Sequence, residues 1–535
     1  MKIKQKKVYW MVIPFLIGLS GILGIYFLLS GKGVQSEIKV AAKTVYTDTY
    51  QDDAEKKIEQ KKKSETYTEN NMLIEENPYG TNTLSLYVYF NTEEKVSISY
   101  NVSVSDSSIP DFSGTPVGED DYGTEHEFQI IGLVPEHSNT ITFTLKTEDG
   151  TEKTYSYVHE MGSLLGEEEI QLDATKVSEE GDYVTDGLYV ILGNDSKEDD
   201  FMYYYDNAGV IRGEVPLIGY RSHRLLFQNG LMYYSISENK IAAVNSLGKA
   251  EKIYDTGQFN LHHDYVFDDD GNLLILATDT EKDTAEDQII KINTQTDGVT
   301  HVLDLGDCFE KYKEQCVKSD DEELDWMHIN TIQWLGDEQV LLSSRETSTI
   351  IKVDNLYNSP QINYMIGENS FWDDTDYEDL LLEKDESNGE FSNTGGQHSV
   401  TYFKNDALNS GEYYLYMFNN NYGISTTNPS YDWNRIDGIE TSPSNMEDKT
   451  SYFYKYQVDE KNKTYSLVQS FEVPFSPYVS SVQEFDGNII VDSGMQGIFG
   501  EYDSEGNLIQ QFKMKLSDKY IYRVYKYTFT DFYFS

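Results

Sequence analysis

Four of the nine histidines lie in three short segments whose polar neighbours could support chemistry. These segments are Leu261-His262-His263-Asp264, then Asp325-Trp326-Met327-His328-Ile329-Asn330 with Arg345 further along, and Gly395-Gly396-Gln397-His398-Ser399. Neutral histidine is a nucleophile and a general acid or base near neutral pH, and arginine offers an oxyanion a planar fork of hydrogen-bond donors. Several histidines with one arginine therefore suit the transfer of a charged tetrahedral group.

A metal site is the alternative that these residues allow, because several histidines together with Asp264 could bind zinc or iron. Arg345 argues against this alternative, since a permanent cation is an unfavourable neighbour for a divalent metal ion. We therefore predict a site with no metal and no cofactor.

The other histidines carry weaker signals. We interpret His126, His137, His159 and His301 as structural residues of a β-protein, because nothing around them suggests chemistry. His223 lies between Arg221 and Arg224 in the sequence, and its role stays open.

A repeated unit indicates how the three segments could be positioned. From residue 172 onward a strand, a turn rich in Asp, Asn and Gly, and a second strand recur six times. The copies are residues 203–210, 243–249, 290–299, 351–354, 454–459 and 501–507. Six such copies predict a six-bladed β-propeller over residues 172–535, with two stacked sandwiches as the alternative. The innermost strands of a propeller begin around its central channel, so three blades can aim the segments at one point.

Residues 72–161 show the period-two alternation of β-strands, for example in residues 84–90 and 140–145. Glycine and aspartate turns separate these runs, which is typical of a small β-sandwich. The overall prediction is an all-β protein in which this sandwich precedes the propeller.

The amino-terminal segment predicts the location of the protein. Lys2, Lys4, Lys6 and Lys7 precede an uncharged run at residues 8–30, which is long enough for a transmembrane helix. No A-x-A cleavage pattern follows, which favours an uncleaved anchor over a cleavable signal peptide. By the positive-inside rule, residues 1–7 are cytoplasmic and everything after residue 30 is extracytoplasmic in a single-pass membrane protein. Residues 31–71 are polar and predict a stalk that could be partly helical.

The composition of the 535-residue chain argues against nucleic acid as a partner. Lys and Arg total 42 against 92 Asp and Glu, and the resulting net charge of −50 would repel phosphate groups. Cys308 and Cys316, the two cysteines, could form a local disulfide outside the cell or stay free thiols.

At the three histidine segments the chain resembles the bacterial aryl-sulfate sulfotransferases that do not use the nucleotide sulfate donor (PAPS). The resemblance extends from Met72 to Ser535, and the D-W-x-H-x-N…S-S-R pattern, from Asp325 to Arg345, is its most specific part. It implies a six-bladed propeller with an amino-terminal β-sandwich. It also implies ping-pong transfer of a sulfuryl group from a phenolic sulfate ester to another phenol through a sulfohistidine.

The resemblance also implies roles for the site residues. His398 matches the nucleophile, while His328 and Arg345 match the pair that grips the sulfuryl oxygens. One of His262 and His263 matches an acid or base for the phenolic oxygen, and Asn330 of the same motif is expected to bind substrate. The expected partners are phenolic sulfates and phenols, and the sequence is compatible with a homodimer. A propeller that only binds ligands, or a surface adhesin, is the alternative function.

Overall fold

The computed structural model describes residues 41–176, 183–194, 200–318 and 323–535. Strands dominate these ranges, so the described protein is all-β as predicted. No helix within them is long and apolar enough to span a membrane. The predicted cytoplasmic segment at 1–7 and the predicted anchor at 8–30 lie outside the described residues.

The helices are short, apart from one near the amino terminus. They are α1 (Ala42–Val45), α2 (Asp48–Ser64), α3 (Leu305–Cys308), α4 (Glu310–Lys313) and α5 (Asn369–Trp372), with 3-10 turns at Glu378–Leu380, Trp433–Arg435, Met446–Asp448 and Gly494–Gln496.

Helix α2 packs against two parts of the protein. Its buried face is formed by Gln51, Ala54 and Ile58. The Gln51 amide donates to the Tyr79 carbonyl at 3.0 Å, and its side-chain oxygen accepts from the Ala250 amide at 3.1 Å. The described part of the predicted stalk, residues 31–71, therefore docks on the folded body through this face instead of standing clear of it.

An amino-terminal sheet is organised by one strand of 19 residues, β2. Its strands are β1 (Leu73–Glu76), β2 (Ser85–Ser103), β3 (Phe112–Gly114), β4 (Gly123–Ile131), β5 (Ser138–Thr147) and β6 (Glu152–Glu160). The first half of β2 pairs mainly with β1 and β4, and the second half with β3 and β5. Phe128 of β4 and Phe143 of β5 have ring centroids 6.4 Å apart. The strands paired with the first half of β2 therefore pack against those paired with its second half around an apolar core.

From residue 188 the described chain forms six sheets, which are antiparallel except for one short parallel pair in the fifth. Strand β7 (Asp173–Lys176) precedes them and joins the sixth sheet. The first sheet contains β8 (Leu188–Ile191), β9 (Phe201–Tyr205) and β10 (Ile211–Pro216). The second contains β11 (Leu226–Gln228), β12 (Leu231–Ser237), β13 (Lys240–Asn245) and β14 (Ala250–Asp255). The third contains β15 (Phe259–Phe267), β16 (Leu273–Asp279), β17 (Gln288–Ile292) and β18 (Val299–Asp304).

The remaining three sheets follow the same plan. The fourth contains β19 (Ile329–Gly336), β20 (Gln339–Ser344), β21 (Thr349–Asp354) and β22 (Gln361–Ile366). The fifth contains β23 (Glu383–Lys384), β24 (His398–Phe403), β25 (Glu412–Asn419), β26 (Thr450–Asp459) and β27 (Thr464–Pro474). The sixth contains β28 (Ser481–Phe485), β29 (Asn488–Ser493), β30 (Ile498–Tyr502) and β31 (Leu508–Lys513), and β32 (Val524–Tyr527) returns to pair with β8 of the first.

The sheets follow one another in a propeller-like order. Strands β15, β19, β24, β28 and β32 each lie at one edge of a sheet and contact one another in that succession. Each of the six sequence repeats falls on the third strand of a different sheet, counted from this inner edge. The repeat therefore marks equivalent positions in successive sheets.

The two cysteines lie near the ends of α3 and α4. Cys308 and Cys316 are both free thiols, so the local disulfide that the sequence allowed is not formed. Phe309 and Tyr312 lie between them and pack against Trp372, which holds this segment by aromatic contacts. Burial raises the pKa of the Cys308 thiol to about 11, so it stays protonated at neutral pH.

Candidate active site

The predicted site residues converge where the innermost strands begin. His262 and His263 lie in β15, His328 immediately precedes β19, and His398 is the first residue of β24. Arg345 follows β20, and its amide donates to the His328 carbonyl at 3.2 Å. The structure thus brings residues from three sheets to one buried cluster.

His398 is held in one orientation by its Nδ1 atom. This nitrogen lies 2.9 Å from the Gly396 carbonyl and 2.8 Å from Oδ1 of Asn420. The Asn420 amide nitrogen donates to the carbonyls of Ser476 at 2.8 Å and Val479 at 3.0 Å, which fixes Oδ1 as the atom facing His398. Because both neighbours of Nδ1 are acceptors, Nδ1 carries the proton and Nε2 carries the free electron pair.

The surroundings of His398 keep its imidazole neutral. The side chain is buried, and burial is the main reason why its pKa falls to about 3, with the charges of His328 and Arg345 acting in the same direction. A neutral imidazole with an unprotonated Nε2 is the form that attacks an electrophile.

His328 has the opposite environment, because two carboxylates share its Nδ1 atom. Asp325 lies 2.5 Å from this nitrogen and Glu286 lies 2.8 Å from it. Burial and Arg345 lower the pKa of His328, but Asp325 and Glu286 outweigh them and raise it to about 9. His328 is therefore an imidazolium at neutral pH, with Nε2 as its second N–H donor.

Arg345 is anchored at one end of its guanidinium. Its Nη2 atom donates to Glu346 at 2.9 Å and lies 3.8 Å from Asp325. The Nε atom is buried and has no hydrogen-bond partner among the described residues. One edge of the guanidinium is thus free to bind an oxyanion.

His262 and His263 form a pair of neutral imidazoles. Their Nδ1 atoms are 3.0 Å apart, and burial is the main cause that lowers the pKa of each. The His263 ring lies 4.8 Å from the His328 ring, so His263 is the member of the pair that adjoins the charged histidine. Both His263 and His328 have left-handed backbones, with φ of 52° and 48°. Such strain persists only where the surrounding structure enforces it.

Asn330 braces the segment that contains His398. The side-chain amide of Asn330 donates to the Gln397 carbonyl at 2.8 Å, and the backbone carbonyl of Asn330 accepts from Arg523 at 2.7 Å. These contacts show a positioning role, and direct substrate binding by Asn330 stays a prediction.

Four residues to which the sequence patterns gave no role belong to this site. They are Glu286, Asp325, Asn420 and Arg523. Asp325 begins the second histidine segment, so its proximity was a usable signal, whereas Asn420 directly follows β25, the strand that pairs with β24. Glu286 and Arg523 had no such signal, because they reach the cluster from the loop after β16 and from the residue before β32.

Two overlapping groups in the described structure could hold a metal ion. One is His262, His263 and Glu286, and the other is Glu286, Asp325 and His328. Glu286 and Asp325 also form the ion pair with His328, so a metal in the second group would have to displace that proton. Glu286, Asp325 and His328 can therefore either bind a metal ion or form an ion pair with a protonated histidine. The effect of a chelator on activity distinguishes these two alternatives.

The remaining histidines have separate surroundings. His126 contacts Glu119, His137 the Pro135 carbonyl, His159 Glu76, and His301 Gln288. His223 is buried, and neither of its ring nitrogens has a hydrogen-bond partner among the described residues.

Comparison with known proteins adds a family match. The family model described as "Arylsulfotransferase (ASST)" matches residues 173–523, and that of the "Arylsulfotransferase Ig-like domain" matches residues 73–162. No curated protein matches the chain. A protein of unknown function from Bacteroides caccae is 11% identical, with 64% of this chain and 98% of that chain covered and a TM-score of 0.38. BamB from Moraxella catarrhalis is 10% identical, with 64% and 91% covered and a TM-score of 0.32. Likenesses of this size carry no argument about function.

Proposed function

The chain belongs to the arylsulfotransferase family, and on that premise we propose that it moves a sulfuryl group from an aryl sulfate to a phenol through sulfated His398. The observation that carries this proposal is the fixed tautomer of His398. Its Nδ1 proton faces two acceptors, so Nε2 is left as a nucleophile beside the cations Arg345 and His328.

In the first half-reaction, the electron pair on Nε2 of His398 forms a bond to sulfur. The bond between sulfur and the aryl oxygen breaks, and its electron pair leaves on that oxygen. Arg345 and the Nε2–H of His328 stabilise the charge on the sulfuryl and aryl oxygens, which is the usual contribution of preorganised donors. In the second half-reaction an acceptor phenol attacks sulfur, and the N–S bond breaks to restore His398.

The proton needed by the leaving phenol comes from His328 in this proposal. His262 and His263 are neutral and buried, so they suit the role of base or hydrogen-bond partner better than that of acid. His328 is charged, and its pKa of about 9 is close to that of a phenol. In the second half-reaction the neutral His328 takes the proton of the attacking phenol and is thereby restored, and His263 is the member of the pair nearer to this transfer.

We also propose that the six sheets close as six propeller blades, and that the body lies outside the cell behind a membrane anchor. One repeat per sheet and the pairing of β32 with β8 support the closure. The lysines before the uncharged run at 8–30 support the orientation.

The decisive experiment incubates the purified full-length protein with a chromogenic aryl sulfate and a phenol, without nucleotide. We expect chromophore release that depends on the phenol and is unchanged by a chelator. Continued release without an acceptor, beyond one equivalent of the enzyme, would indicate a sulfatase, and absence of release would favour a binding module or adhesin. Loss of activity with chelator, restored by one metal, would assign the Glu286 cluster to metal binding.

A second expectation concerns pH, measured as the rate of the phenol burst from donor alone. The rate should be flat between roughly pH 5 and 8. The pKa of His398, about 3, lies below this range, and the pKa of His328, about 9, lies above it, so neither group changes its charge there. It should fall as pH rises through about 9, where His328 loses its proton.

Glu286→Gln removes one of the two carboxylates on His328, so the high-pH fall should move down by roughly one pH unit or more. Glu148→Gln, which changes an exposed carboxylate of the amino-terminal sheet, is the matched control. An unmoved limb in Glu286→Gln would separate Glu286 from the protonation of His328.

A further inference from the structure

A second cluster of cationic and imidazole groups lies next to the reaction centre, around the ring of Tyr522. The Arg221 guanidinium lies 4.2 Å from the centre of this ring, and the Arg523 guanidinium lies 5.1 Å from it. The His223 ring is 5.3 Å away and the His263 ring 6.0 Å away. Because His263 also contacts His328, the cluster adjoins the proposed site of sulfuryl transfer.

The buried hydrogen-bond donors of this cluster are not fully used. Both ring nitrogens of His223 lack hydrogen-bond partners among the described residues, although the side chain is completely buried. Arg523 is equally buried, and its Nε and Nη1 atoms make no hydrogen bond within the same part of the chain. Unused donors are costly in a folded interior, unless a bound group accepts from them.

The local charge is positive although the whole chain is strongly acidic. Arg224 donates to Asp264 with two nitrogens, at 2.8 and 3.1 Å, and Arg523 lies 3.5 Å from the same carboxylate. Two guanidiniums, those of Arg224 and Arg523, therefore share the single carboxylate of Asp264. A buried site with excess positive charge favours an anion.

The geometry points to a second anion subsite formed by His223 and Arg523, which binds an oxyanion substituent on the aromatic ring of the phenolic substrate. This inference rests on the proposed function, since it assigns a substrate class to the same site. The unused Nε and Nη1 atoms of Arg523 provide donors to a carboxylate or sulfate carried by the substrate ring. His223 stays neutral, because burial and the nearby arginines lower its pKa, and one N–H remains to donate.

The test compares two acceptors of similar size, 4-hydroxyphenylacetate and the neutral 4-hydroxyphenylethanol, with one chromogenic donor. The wild-type protein should prefer the acid in kcat/KM by at least about tenfold, the typical worth of a hydrogen bond to a charged group. Arg523→Gln should remove most of this preference, and His223→Phe should reduce it by about threefold. Arg523→Lys keeps the charge and should retain more of the preference than Arg523→Gln.

Lys404→Gln removes an exposed charge and is the matched control, which should leave the preference unchanged. Equal kcat/KM for both acceptors in the wild type, or an unchanged preference in a folded Arg523→Gln protein, would overturn the subsite. Calorimetric titration of the two phenols without donor separates this inference from the proposed function. If no phenol accepts sulfate, tighter binding of the acid that is lost in Arg523→Gln still supports the subsite, and equal binding rejects it.

Discussion

His398→Asn should abolish both the burst of phenol and the covalent adduct that the wild-type protein forms with donor alone. In the wild type, the burst should match the enzyme concentration, and the intact mass should rise by about 80 Da, the mass of one sulfuryl group. Asparagine is small enough for the buried position, but its amide nitrogen has no free electron pair to attack sulfur. Stopped-flow absorbance and intact-protein mass spectrometry measure the two results.

His301→Asn is the control for this substitution, since His301 contacts Gln288 away from the cluster and should keep both burst and adduct. A normal burst from a folded His398→Asn protein would place the nucleophile elsewhere. His262, His263 and His328 would then be the candidates.

Arg345→Lys should slow sulfuryl transfer by about 10²–10³-fold, the usual loss when one preorganised donor to a developing oxyanion is removed. Lysine keeps the positive charge, but its ammonium cannot offer the planar edge that contains the free Nε atom. The melting temperature should change little. Single-turnover rates and thermal unfolding measure the two effects.

The surface substitution Arg435→Lys is the matched control, because the Arg435 side chain is 80% exposed. It should leave the transfer rate at the wild-type value. If Arg345→Lys transferred sulfate at the wild-type rate, Arg345 would not contact the sulfuryl group.

Much of the sheet architecture could be predicted from local patterns. The repeats were recognisable because the third strand of each sheet has apolar residues and is followed by a turn rich in Asp and Asn. Both features depend only on residues close together in the sequence. The docking of α2 was missed for the opposite reason. Only Gln51, Ala54 and Ile58 are buried in a helix that is otherwise polar, and their partners lie far away in sequence.

The candidate site, too, could be predicted only in part. The histidines and Arg345 could be identified from their residue types and motifs, but their charge states could not. The protonation of His328 depends on Glu286, which the fold delivers from another sheet, and the neutrality of His398 depends on burial and on Asn420. Arg523 had no recognisable neighbours, since its importance comes only from the position of β32.

The pairing of β32 with β8 also has a consequence for biogenesis. Val524 pairs with Ile191, roughly 330 residues earlier in the chain, so this contact closes a very long loop. Contacts of such sequence separation form late, because the chain entropy of closing the loop must be overcome first. A nascent chain that has already made His398 still lacks Arg523, so the complete set of cations is assembled only when the final strand has arrived.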